Sequence, residues 1–109
     1  MKAFVTLIAL TAILLYVNPL ASADTAAGKD LYGKKCASCH GVAGEGKDSV
    51  AKMLKVEFKP LDSKEVQARS DADLKKIVLE GTGKMKGVKD LEAKGADDIV
   101  AYVRTLAKK

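Results

Sequence analysis

Both cysteines and the single histidine of this 109-residue chain fall within five positions, in the stretch KKCASCHG: Cys36, Cys39 and His40. Three chemistries use such a cluster. A Cys36–Cys39 disulfide would close a very short loop and gain little loop entropy. A thioredoxin-like redox pair has the same spacing but belongs in a chain of alternating strands and helices, and no strand pattern is evident here. A structural zinc ion takes four ligands, usually from two pairs, and no second Cys or His cluster exists. Covalent haem attachment accounts for all three residues: two thiols three apart form thioethers to the haem, and the histidine directly behind the second thiol reaches the iron.

An iron held for electron transfer needs a second axial ligand. With no other histidine, methionine is the natural donor, and a Met/His pair raises the reduction potential. Met1 leaves if the N-terminus is processed, so Met53 and Met85 are the candidates. Met53 lies in DSVAKMLKVEF, 13 residues past His40, where a Met beside a Leu is commonly packing filler. Met85 lies in EGTGKMKGV, 45 residues past His40, among Gly81, Gly83 and Gly87. Such a loop can approach a ring face closely. Met85 is the favoured ligand; Met53 and an open position are the alternatives.

The first 23 residues carry Lys2, an uncharged and mostly apolar run from Ala3 to Val17, Pro19, and the small-x-small triplet Ala21-Ser22-Ala23. This is the pattern of a secretory signal peptide cut behind Ala23. The run falls short of the roughly 20 residues of a spanning helix, so no stable membrane insertion is expected after cleavage. Haem attachment follows export, so the two signals support each other and place the protein in the periplasm. Residues 24–109 then form one domain. Losing Lys2 leaves 18 basic and 14 acidic side chains, a net charge of +4. Only Tyr32, Phe58 and Tyr102 remain as aromatics, and there is no Trp. So small a chain is marginal without a staple, and a large apolar cofactor would supply the missing centre.

The elements that must position these residues read as helices. Residues 25–35 carry Gly28, Leu31 and Tyr32 on one face and lead into Cys36. Residues 70–81 carry Leu74, Ile77 and Val78, start at Ser70 with Asp73 at capping-box spacing, and stop at Gly81. Residues 96–109 carry Ile99, Tyr102, Val103 and Leu106 at i, i+3, i+4 and i+7. A shorter helix is expected over 48–55 and a turn over 58–63, around Pro60. Gly28 would permit a close crossing of the first and last helices.

These motifs resemble the class I c-type cytochromes, specifically the small bacterial monohaem kind. The likeness spans the chain from residue 24 onward. It rests on Gly28-x-x-x-Tyr32-x-x-x-Cys36-Ala-Ser-Cys39-His40-Gly41, Gly44, Gly46, Gly83-Lys84-Met85 and Ile99-Val-Ala-Tyr102-Val103-Arg-Thr-Leu106. It implies an all-α fold of three to four helices around one covalent haem c, with crossing terminal helices and one exposed haem edge. It also implies thioethers at Cys36 and Cys39 and axial ligands at His40 and Met85. Two departures stand out. Many relatives have a proline directly after the ligand methionine, where this chain has Lys86. Many have another several residues after the haem motif, to hold the histidine, where it has Lys47-Asp48-Ser49. Arg69 or a lysine is left to meet the propionates.

The function these features imply is a monohaem electron carrier of a respiratory chain, not an enzyme. The competing class is a haem protein with an open sixth position, acting as a peroxidase or small-ligand sensor. Lys34, Lys35, Lys47, Lys84, Lys86 and Lys89 flank the two haem-contacting segments. They would steer the protein onto redox partners with acidic docking surfaces. Nucleic acid is not an expected partner, because basic and acidic residues are interleaved and no binding motif occurs. A monomer is expected.

Overall fold

The computed structural model describes residues 23–107. Apart from Ala23, the expected signal peptide lies outside the described residues, as do Lys108 and Lys109. Among the described residues, six helices and one small hairpin follow in order: α1 Thr25–Lys35, α2 Ala37–His40, α3 Asp48–Leu54, α4 Lys64–Gln67, α5 Asp71–Glu80, β1 Gly81–Thr82, β2 Met85–Lys86 and α6 Ala93–Thr105. The fold is mainly helical, as expected.

Helix starts follow local chemistry. The Asp24 carboxylate accepts from Ala27 N–H at the head of α1, and Lys34 and Lys35 sit at its negative end. Ser70 caps α5 by accepting from Asp73 N–H at 3.1 Å. The reciprocal arm of a capping box is not made, because the Asp73 carboxylate accepts from Arg69 instead. Gly81 ends α5 with φ +83°, and a Cβ there would overlap the backbone of Met85. The hairpin therefore turns back tightly against the end of α5, pairing Thr82 with Met85. Sequence periodicity does not foresee this hairpin, since two-residue strands carry no period. Nor does it foresee α4, which is too short to show a stripe. Helix α6 begins at Ala93, three residues before the expected start at 96, and ends at Thr105 rather than running to 109.

The terminal helices cross at Gly28, which is buried and has no side chain to hold α1 and α6 apart. One helical turn on, the rings of Tyr32 and Tyr102 lie 5.2 Å apart at 58°, a tilted packing worth about 0.5–1.5 kcal/mol beyond area. Arg104 of α6 ties down the opposite side. Its guanidinium donates to Asp71 Oδ1 at 2.9 Å and to the Gln67 and Arg69 carbonyls at 2.8 and 2.6 Å. The start of α5 is thus bound to α6.

Among the described residues, Ile99 and Val103 with Tyr32 form one apolar cluster, and Val66, Leu74 and Val100 form a second. These clusters do not merge into a solid centre. Both wall the same cavity.

Candidate functional site

The cavity takes its first wall from the turn that holds the motif. Cys36 donates its N–H to the Tyr32 carbonyl at 2.9 Å but leaves helical geometry, at φ −121°. The chain then restarts as α2. Cys39 N–H and His40 N–H both return to the Cys36 carbonyl, at 3.2 and 2.9 Å. One helical turn therefore sets Cys36, Cys39 and His40 at i, i+3 and i+4, on one face. The following loop is pinned back on this turn: Gly46 N–H donates to the His40 carbonyl and Lys47 N–H to the Cys39 carbonyl, at 2.6 and 3.0 Å. Tyr32 secures it from within, its hydroxyl donating to the Gly41 carbonyl at 2.6 Å in a buried bond.

The walls beyond are apolar: Leu61, Val66, Leu74, Ile77, Val78, Ile99, Val100 and Val103, joined by Cys36, His40 and Met85. The empty space is about 480 Å³, part of it continuous with solvent. No charged side chain lines it.

Burial governs the electrostatics. The His40 imidazole is pushed below its ordinary pKa because desolvation disfavours the cation. The Cys36 thiol is pushed up to about 11 by burial, with a further push from Cys39. The Tyr32 phenol is pushed up to about 12, first by burial and then by Cys36, Tyr102 and Glu45. Cys36 and Cys39 are not joined in a disulfide.

His40 Nδ1 is buried and, among the described residues, has no hydrogen-bond partner. The ring is instead held by Phe58, whose ring lies edge-on at 5.4 Å and 65°. A neutral imidazole with a bare nitrogen, the Cys36 thiol and the Met85 thioether line an apolar cavity, and Cys39, which does not line it, stands beside His40 in the same turn; together they form a donor set that fits a covalent haem. Of the two methionines, Met85 lines this cavity and Met53 is 72% exposed on α3.

Two residues beyond the motif act on the site in ways the sequence does not announce. Phe58 sits in the segment read only as a turn; its one signal is being an aromatic residue in a chain with few. Lys84, in the turn of the hairpin, donates Nζ to the Leu54 carbonyl at 2.6 Å. That carbonyl belongs to the last turn of α3, where helical partners run out. The bond joins the Met85 hairpin to α3. The other flanking lysines, Lys34, Lys35, Lys47, Lys86 and Lys89, are exposed. Arg69 is engaged with Asp73 at 2.8 Å.

Residues 23–103 match the family model described as cytochrome c oxidase, cbb3-type, subunit III. The chain is 34% identical over 90 residues to cytochrome c-554(547) of Halothiobacillus neapolitanus, covering 76% of this chain and 97% of that protein. It superposes on the solved KustC0563 c-type cytochrome with a TM-score of 0.65 at 30% identity, covering 74% of this chain and 98% of the other.

Proposed function

Given that the chain belongs to the small class I c-type cytochromes, within the family described by the cbb3-type subunit III model, we propose that it is a periplasmic monohaem carrier passing single electrons between proteins of a respiratory chain. The family makes it a haem electron-transfer protein carrying covalent haem c. The roles of individual residues, the compartment and the partners are our reading.

Cys36 and Cys39 would hold the haem through thioethers, and His40 and Met85 would hold its iron. The observation that carries this is the shared cavity: Cys36, His40 and Met85, drawn from two segments far apart in sequence, line one apolar space, while Met53 faces solvent. When bound, haem supplies a one-electron ferric/ferrous couple. The protein supplies the rest. Burial keeps the His40 imidazole neutral, so a nitrogen lone pair is available to a metal. The Met85 hairpin presents a second, soft donor. With His40 and Met85 both given to the iron, no position would be left for a substrate, which favours a carrier over an enzyme. Aliphatic walls keep water out and favour the less charged state. The open side of the cavity offers a route for the electron.

Among the described residues no helix is long and apolar enough to cross a membrane. We read the first 23 residues as a signal cut behind Ala23, which delivers the chain to the periplasm. The exposed lysines flanking α2 and the hairpin would meet acidic surfaces on the redox partners.

The test is ligand access. The reduced holoprotein is mixed with carbon monoxide at neutral pH while the haem spectrum is followed. An unchanged spectrum together with reversible one-electron cycling is expected. Rapid, stoichiometric carbon monoxide binding would overturn the carrier reading in favour of an open-site enzyme or sensor.

A further inference from the structure

Asp98 is the buried carboxylate of the terminal-helix crossing, its side chain 5% exposed. Its Oδ1 accepts from Asp24 N–H at 2.8 Å. Lys94, one turn earlier on α6, brings Nζ to 3.1 Å from Oδ2, but the lysine side chain is 69% exposed. Water therefore screens much of that charge. A buried carboxylate whose one cation is a solvated lysine, 3.3 and 3.1 Å from its two oxygens, gains from a second cation, because desolvation removes stabilisation that nearby positive charge restores.

The amide in question belongs to the residue that heads the chain once the signal is removed. Resting on cleavage behind Ala23, we propose that Asp98 is a receptor site for the chain's own α-ammonium: processing replaces a neutral donor with a cation at the same place. The nitrogen already stands at the distance of a charge-assisted hydrogen bond.

One effect opposes this. A positive charge at the N-terminal end of α1 works against the helix dipole. That penalty is offset in part, since the carboxylate of Asp24 itself caps the helix beside the ammonium, accepting from Ala27 N–H at 3.1 Å. Compensation of a buried carboxylate outweighs it. Three charged groups act on the ammonium: Asp98 and Lys94 from α6, and the Asp24 carboxylate from its own segment. Signal removal thus tightens the crossing where Gly28 brings α1 against α6. The mature chain is fastened in a way its precursor is not.

The experiment inserts one serine between Ala23 and Asp24, so that cleavage behind Ala23 leaves Asp24 with a neutral amide. Both holoproteins are purified from a host that matures cytochromes, and intact mass defines each N-terminus. At about pH 6, where an α-amine is charged, the serine-extended protein is expected to melt about 4–8 °C lower. The difference should vanish in the Asp98→Asn background and grow in the Lys94→Ala background, where the ammonium is the remaining close cation. If Asp98→Asn yields no holoprotein, the Lys94→Ala pair decides. Equal melting of the two N-termini in the unsubstituted background overturns the proposal, as does a loss unaffected by Asp98→Asn or not enlarged by Lys94→Ala. A mature mass starting elsewhere than Asp24 overturns the cleavage reading itself and is read separately from any melting result.

Discussion

Gly28 and Asp98 meet backbone to backbone: a Cβ on Gly28 would overlap the Asp98 carbonyl oxygen. Because the obstacle is main chain, no rotamer change relieves it. Gly28→Ala should push α1 off α6 and cost about 1–3 kcal/mol, the usual range for overpacking. Denaturant unfolding of the holoprotein measures this. A stability within error of the unsubstituted protein would mean that the terminal helices do not touch here.

The two methionines stand in opposite environments, which gives a paired prediction. Met85→Ala should abolish the weak near-infrared sulfur-to-iron band of the oxidised protein and lower its reduction potential, since Met ligation raises it. Met53→Ala, at a side chain 72% exposed, should leave both unchanged. Loss of the band in the Met53 variant alone would reverse the assignment.

Tyr32 joins the terminal-helix crossing to the loop behind the motif through its bond to the Gly41 carbonyl. Tyr32→Phe leaves the Gly41 carbonyl with only the longer bond from Gly44 N–H at 3.3 Å and should cost about 0.5–1.5 kcal/mol, the net worth of one hydrogen bond. The phenol also predicts a pH effect. Its folded pKa, about 12, lies above the ordinary 10.0. The folded state therefore holds this proton more tightly than the unfolded state. The associated stability is complete below pH 10 and is lost as pH rises towards 12. Unfolding free energies measured across that window should fall more steeply for the parent protein than for Tyr32→Phe. Attached haem removes the Cys36 contribution, but burial, the largest cause, remains.

Lys84 spans from the Met85 hairpin to the last turn of α3. Lys84→Ala should let the hairpin swing away more often, so that added imidazole displaces the methionine more readily. Its affinity for the oxidised protein should rise about 5-fold, equivalent to one net hydrogen bond of about 1 kcal/mol. Lys84→Arg, which can still reach the carbonyl, should restore most of the barrier. Imidazole titration followed by optical spectroscopy reads both variants.

The exposed lysines beside α2 and the hairpin predict salt dependence. Second-order electron transfer to an acidic redox partner should slow as ionic strength rises, since the Debye length shrinks from about 30 Å at 0.01 M to about 10 Å at 0.1 M. Charge reversal of Lys86 and Lys89 should flatten that slope. A rate indifferent to salt would remove the lysines from docking.

How far the sequence reaches depends on how local each feature is. The Cys36–His40 turn closes within five residues, so residue type and spacing determine it. The cap at Ser70 and the stop at Gly81 depend on neighbours three or four positions away, and both were legible. The stripe Ile99, Tyr102, Val103 announced α6, although its start at Ala93 lies beyond the apolar pattern that marks it. Even the terminal-helix crossing left a local trace, a glycine in the middle of a helical face.

The remaining features join residues too distant for any pattern to link. Spacing and glycine content could only rank Met85 above Met53; the packing of α5, α6 and the hairpin puts Met85 against the cavity and leaves Met53 outside. The sequence shows that a proline is missing where the histidine would find its acceptor, and the fold answers with Phe58, leaving Nδ1 bare. Lys84 reaching Leu54, and Asp98 reaching Asp24 across 74 positions, have no signature at all. Sequence alone determined the chemistry, because haem attachment is written into adjacent side chains. Tertiary structure decided which distant groups surround that chemistry, because a hydrogen bond or a cavity wall depends on separation in space, and only chain packing sets that.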